Sequence, residues 1–200
     1  MSPSDFDLTH QNQSIESKIV ASLERLSMAF NVLLWNESKE HSLSPIQIKI
    51  LIFLLNHSPE KRKVGYLANE FNMTKATISD TIKTLTHKKF ITKQYEASDS
   101  RSYIIHLTES GKEIAQVTSM FSKKIHDPID HLTPDNKKIL LENLLLVIGQ
   151  LNRSGIITIQ RMCATCHYYE HDGKEQHFCR LLNQSLKITD LRIDCPEHKI

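Results

Sequence analysis

The sequence predicts a mainly α-helical chain with one small β-hairpin and a separate cysteine-rich module at its C-terminal end. Three observations predict it. Apolar residues recur at helical spacing over most of residues 14–153, one pair of β-prone runs flanks a polar tip, and all four cysteines fall in the last 38 residues. Composition agrees. The 200 residues are 40% hydrophobic and 24% charged, and only 5 Gly and 6 Pro argue against a loop-rich or all-β chain. No apolar run approaches the roughly 20 residues of a membrane span. The start, MSPSDFDLTHQNQS, lacks a basic stretch followed by an apolar one. A cytoplasmic location without a membrane partner is therefore expected, and there structural disulfides are rare.

The elements follow in order. Residues 1–13 are polar and lack periodicity, which predicts a disordered tail. Ile15, Ile19, Leu23, Leu26, Phe30 and Leu33 form one stripe on a long helix carried to about Trp35. Ser44-Pro45 is a cap followed by a first-turn proline. The run IQIKILIFLL behind it is apolar nearly all round, so a central, buried helix is expected, stopped at Ser58-Pro59. Val64, Leu67, Ala68 and Phe71 give a short helix broken at Asn72, a residue that tolerates left-handed geometry. Thr74 caps the next helix, with Ile78, Ile82 and Leu85 inward. Two short amphipathic helices around a three-residue turn make a helix-turn-helix. The runs at residues 90–95 and 103–107 flank the tip EASDSR as a hairpin, and a helix-turn-helix followed by a hairpin is a winged helix. Thr108 caps a further helix with Ile114, Val117 and Phe121 inward, ending near Pro128. Leu132-Thr133-Pro134-Asp135 opens a strongly apolar helix to about Leu151, and Ser154-Gly155 marks a boundary.

Charge is unevenly placed. Nine Lys/Arg and four acids lie between Lys61 and Arg101, while the whole chain carries only +2. A basic middle of this kind suits a phosphate-binding surface, and it also suits a solvated lysine-rich face. On the second helix of the pair, Thr74, Lys75, Thr77, Thr81, Lys83, Thr84 and His87 are expected off the apolar face, where short hydroxyls and cations reach base edges and phosphates. Arg101 at the hairpin tip is placed to enter a narrow minor groove, with Asp99 orienting it or capping the tip turn.

The stretch LANEFNMTKATISDTIKTL, then KKFITKQ, then SDSRSYIIHLTESGKE resembles the MarR family of bacterial winged-helix regulators. The resemblance spans about residues 14–153 and is most specific at Asp99-Ser100-Arg101 and Leu107-Thr108-Glu109-Ser110-Gly111. One departure is Lys89, where the family often carries Gly. It implies a winged helix-turn-helix domain between dimerisation helices: residues 14–40 and 108–153 pairing two subunits, and 44–107 binding DNA. The long outer helices carry more apolar face than one small winged helix covers, in keeping with a homodimer. Such a dimer presents two recognition helices about 34–36 Å apart, hence a near-palindromic operator on double-stranded DNA. The family also implies a small-molecule effector in the cleft between dimer and DNA-binding parts, and a transcriptional regulator, taken here as a repressor.

Residues 154–200 form the cysteine-rich extension. Cys163, Cys166, Cys179 and Cys195 follow the spacing C-x2-C-x12-C-x15-C, with His167, His171, His177 and His198 interspersed. Four thiolates complete a tetrahedral zinc site, which is the leading expectation, Zn(2+) also supplying folding energy to a segment with few apolar anchors. An iron–sulfur cluster uses the same donors, and Cys195-Pro196 resembles cluster ligands followed by proline. A thiol switch is the third reading, and His177 is a candidate to replace one thiolate. The C-x-x-C-H pattern of haem attachment is also present, but it leaves Cys179 and Cys195 unexplained. No Gly-rich phosphate loop, nucleophile elbow or H-E-x-x-H helix occurs, so an enzyme is not expected. The alternatives are a zinc-stabilised protein-interaction module and a C-x-x-C oxidoreductase.

Overall fold

Ser44 shows how local chemistry sets the helices. Its hydroxyl accepts the Gln47 N–H at 3.3 Å while the Gln47 amide oxygen accepts the Ser44 N–H at 3.0 Å, a reciprocal cap ahead of Pro45. The computed structural model describes residues 3–96, 99–172 and 176–200. In chain order the helices are α1 (Leu8–Gln13), α2 (Ile15–Glu40), α3 (Pro45–Asn56), α4 (Val64–Glu70) and α5 (Lys75–His87). Strands β1 (Ile91–Glu96) and β2 (Asp99–Leu107) follow, then α6 (Glu109–Ser119), α7 (Lys123–Asp130) and α8 (Pro134–Arg153). The extension contributes β3 (Tyr169–His171), β4 (His177–Cys179) and β5 (Gln184–Leu186). No helix among the described residues is long and apolar enough to cross a membrane.

The core lies where α3 meets α4, α5, α6 and the hairpin. Ile48, Ile50, Leu51, Leu54, Leu67, Ile78, Ile82, Leu85 and Ile105 are fully buried there. The apolar run IQIKILIFLL is thus the central helix its composition predicts. The hairpin pairs antiparallel from Ile91↔Leu107 to Tyr95↔Tyr103, with the register shifting between Tyr95 and Glu96. Alternation along β1 and β2 turns Ile91 and Ile105 into the core.

Four helices end on a left-handed residue with the same pair of backbone bonds. After α4 the residue is Asn72, at φ 49°, as its sequence context predicts. The Met73 N–H reaches the Ala68 carbonyl at 2.9 Å and the Asn72 N–H reaches Asn69 at 3.2 Å. Ser42, Lys89 and Gly155 do the same after α2, α5 and α8, at φ 52°, 63° and 77°. Lys89 therefore holds the conformation for which glycine is the usual residue. The motif after the wing locks this corner. Thr108 donates its hydroxyl to the Lys89 carbonyl at 2.7 Å and accepts the Gly111 N–H at 3.0 Å. A Cβ at Gly111 would sit 1.9 Å from the Phe90 carbonyl oxygen, so only glycine admits this approach.

Four expectations are corrected. Residues 8–13 of the expected disordered tail form α1, because Asp7 accepts the His10 N–H at 2.9 Å and caps it. Helix α2 runs on to Glu40, since NESKE holds no breaker before the left-handed Ser42. The helix after the wing breaks into a 3-10 turn at Met120–Ser122, and α7 then continues through Pro128 to Asp130. Val117 is exposed, while Ala115 and Thr118 share the inward face with Ile114 and Phe121.

Candidate nucleic-acid interface and four-cysteine site

Helix α5 is positioned by its apolar side. Ile78, Ile82 and Leu85 are fully buried, which holds the opposite face outward beside the hairpin. Thr74 caps the helix by accepting the Thr77 N–H at 3.1 Å, and the two hydroxyls lie 2.8 Å apart. Lys75, Thr77, Lys83, Thr84 and His87 are exposed, as the spacing predicts. Lys83 pairs with Asp80 at 3.0 Å, an exposed contact that costs little to exchange for a phosphate.

Thr81 is a correction. It is buried, with its hydroxyl donating to the Thr77 carbonyl at 2.8 Å. It sits three residues after Ile78 and four before Leu85, hence on the inward stripe despite its polarity. The backbone of Asp99 and Arg101 belongs to β2, and their side chains lie outside the described residues. The wing carries groups that the sequence reading missed. Lys93 lies 4.7 Å from the centre of the Tyr103 ring, and Tyr103 packs edge-on against the exposed Tyr95. The β-period placed these residues two apart on one face, a signal present in the sequence.

The outer helices leave apolar surface open. On α2, Ile15, Ile19, Leu23, Leu26 and Phe30 are exposed, and on α8 Ile139, Leu140, Leu146 and Val147 are. Single exposed apolar residues are ordinary, but here they recur along two long helices.

The four cysteines, more than thirty residues apart at the extremes, meet around one cavity of about 280 Å³. Cys163 begins the 3-10 turn Cys163–Thr165, and the Cys166 N–H returns to its carbonyl at 2.9 Å. Cys179 ends β4, and the Cys195 N–H donates to the Arg161 carbonyl at 2.9 Å. All four thiols are free and half-buried. The Arg192 N–H donates to the Cys163 sulfur at 3.2 Å, and the Arg192 guanidinium approaches the Cys195 sulfur at 3.5 Å. Burial pushes the Cys163 thiol up, against the Arg192 N–H that lowers it. Tyr168, Tyr169, Leu181 and Leu182 line it as well, with the carboxylates of Asp190 and Glu197. A set of four convergent thiols met by the Arg192 N–H and guanidinium fits a thiolate-bound metal group. His177 is turned elsewhere: its Nδ1 lies 2.6 Å from the Tyr169 hydroxyl. His198 reaches Thr165 at 3.0 Å.

A second set of residues ties this module to the helix-turn-helix. Arg161, with its side chain 8% exposed, spends every N–H on a partner. It holds Glu70 at 2.7 and 3.1 Å, the Tyr66 hydroxyl at 2.9 Å, and Asp194 at 2.6 and 2.7 Å. Glu70 and Tyr66 belong to α4. Asp194 also meets His57 Nε2 at 3.0 Å, and His57 stacks on Phe53 of α3. The Arg161 guanidinium holds the Asp194 carboxyl down at about 2, assisted by His57 and opposed by burial. These residues escaped the sequence reading. The only signal was position: Arg161 stands two before Cys163, and Asp194 immediately before Cys195.

Comparison with known proteins places this architecture. The sequence profile described as transcriptional regulator SarA/Rot matches residues 34–117. The HTH-type transcriptional repressor YetL of Bacillus subtilis is 25% identical over 128 residues, which are 64% of this chain and 77% of that protein. A MarR protein from Peptoclostridium difficile superposes with a TM-score of 0.59 at 20% identity, over 70% of this chain and 92% of its own. The S. aureus MepR–DNA complex gives 0.58 at 21% identity, over 66% and 97%. The structural likenesses establish the fold. The cysteine module lies beyond the residues matched by the family profile.

Proposed function

We propose that this chain is a winged-helix transcriptional regulator of the MarR/SarA type, a homodimeric DNA-binding repressor whose operator affinity answers to its four-cysteine module. A small-molecule effector in the cleft below the dimer helices is the second input that the family suggests. The reading places the protein in the cytoplasm, on double-stranded DNA.

One observation carries it. Helix α5 is clamped into the core by Ile78, Ile82 and Leu85 and presents Lys75, Thr77, Lys83, Thr84 and His87 outward, next to the hairpin. A rigid helix with short hydroxyls and cations is what a major groove admits. Its face lacks Arg and Asn, so phosphate contacts and duplex shape should carry much of the recognition. MepR, of the same fold, is described in complex with DNA. The open apolar stripes of α2 and α8 supply a self-complementary surface for a two-fold dimer.

Selection from a random duplex pool, followed by sequencing, tests this reading. It should enrich an inverted repeat with half-sites about 10 base pairs apart. The double variant Lys75→Ala, Lys83→Ala should bind weakly while unfolding at the same temperature as the parent. A pool that yields no enriched duplex, with the protein folded and dimeric, removes the proposal.

A further inference from the structure

We propose that the four-cysteine cavity holds an iron–sulfur cluster of the four-iron type, and that the loaded module tightens DNA binding through the Arg161 clasp on α4. The second half rests on the DNA-binding reading above, and the first half does not.

The spacing of the thiols separates a cluster from a single ion. A tetrahedral zinc with Zn–S near 2.3 Å sets its sulfurs about 3.8 Å apart. Among the described residues, no three of the four cysteine sulfurs lie mutually within 4.8 Å. Yet all four line the same cavity of about 280 Å³. A single water needs only about 10–15 Å³ of such space, so this cavity has room for a polyatomic group. In a cluster each thiolate binds its own iron, and the width of the cluster holds the sulfurs apart. The surroundings suit it too. Leu181 and Leu182 line the cavity, the Arg192 N–H donates to one thiolate sulfur, and its guanidinium offsets the negative charge of the assembly.

The link to DNA is a continuous polar path. Two residues flanking the ligands, Arg161 and Asp194, are also those that grip Glu70 on α4 and His57 at the end of α3. Little apolar surface holds the module: Met162 is its one buried hydrophobic residue among those described. Its order therefore depends on the bound group. Loading the cavity fixes Arg161 and Asp194, and through them fixes α4 beneath α5. The loaded protein binds duplex DNA more tightly because less motion remains to be lost on binding.

The test uses the full chain, purified without oxygen and reconstituted with ferrous iron and sulfide. Expected are about four irons and about four acid-labile sulfides per chain with broad visible absorption, all lost in Cys163→Ser and in Cys179→Ser. One metal ion per chain without labile sulfide, whether zinc or iron, overturns the cluster. For the coupling, duplex binding is compared with the cluster present and after its removal, in the parent and in the double variant His57→Ala, Glu70→Ala. The parent should lose affinity by roughly 5–150-fold on removal. The double variant should keep the absorption of the cluster and show a ratio near one. Equal affinity of the loaded and stripped parent overturns the coupling. Absence of duplex binding by both forms overturns the DNA-binding reading and with it the coupling, and leaves the iron and sulfide analysis to decide the cluster.

Discussion

The winged-helix lobe and the cysteine module are held together by opposite means. The lobe closes around aliphatic side chains from α3, α4, α5, α6 and the hairpin, nearly all fully buried. The module buries Met162, Arg161 and His177, and otherwise relies on short strands, turns and four thiols. Hydrophobic burial at about 25 cal/mol per Å² stabilises the first without outside help. The second has little of that term, so on the proposal above its fold is conditional on what it binds. A region made conditional in this way can report a change in its ligand, whereas an aliphatic core cannot.

The largest effect is expected at the proposed metal group. Stripping the full chain with a chelator should abolish amide protection across residues 159–199 and leave α3 and α5 protected, as read by hydrogen exchange. A module that stays protected would place its stability elsewhere. Leu54→Ala probes the other side. Leu54 is fully buried on α3, so the substitution should cost about 2–5 kcal/mol in thermal unfolding while metal content per folded chain stays unchanged. Gly111→Ala forces a methyl group onto the Phe90 carbonyl and should cost about 1–3 kcal/mol, with the shift confined to the lobe.

Smaller effects sharpen the account. Lys89→Gly relieves a left-handed lysine and should raise stability by about 0.5–1 kcal/mol after the entropy of glycine is deducted. The pH dependence of the clasp is the weakest effect near neutrality. Because the folded Asp194 carboxyl sits at about 2, its contribution is fully present above the ordinary aspartate value of about 3.9 and is lost as pH falls through about 2. Exchange protection of the module should thus be flat from pH 7 to about 5. A decline already beginning at pH 6 would point to another group.

Much of the lobe was legible because its signals are local. The Ser44-Pro45 cap, the left-handed Asn72, the stripe of Ile78, Ile82 and Leu85, and the paired β-prone runs each act within a few residues. Misreadings arose where polarity and geometry disagreed. Thr81 is polar but falls on the inward stripe. Phe6 and Leu8 are too few apolar residues to signal α1, which rests on the Asp7 cap and on Asp5 accepting the Ser17 hydroxyl at 2.8 Å. The four cysteines announced a site, but not the spacing of their sulfurs. The contacts of Arg161 with α4 could not be foreseen, since its partners lie 91, 95 and 33 residues away in sequence.

A salt titration of duplex affinity tests the central claim most directly. With the selected duplex and the 200-residue chain, fluorescence anisotropy should give affinity that falls linearly, on logarithmic axes, as salt rises. The slope should shrink by about one for each phosphate-contacting lysine removed from α5. Affinity that ignores salt, or a slope unmoved by Lys75→Ala and Lys83→Ala together, would contradict the claim that α5 grips the duplex.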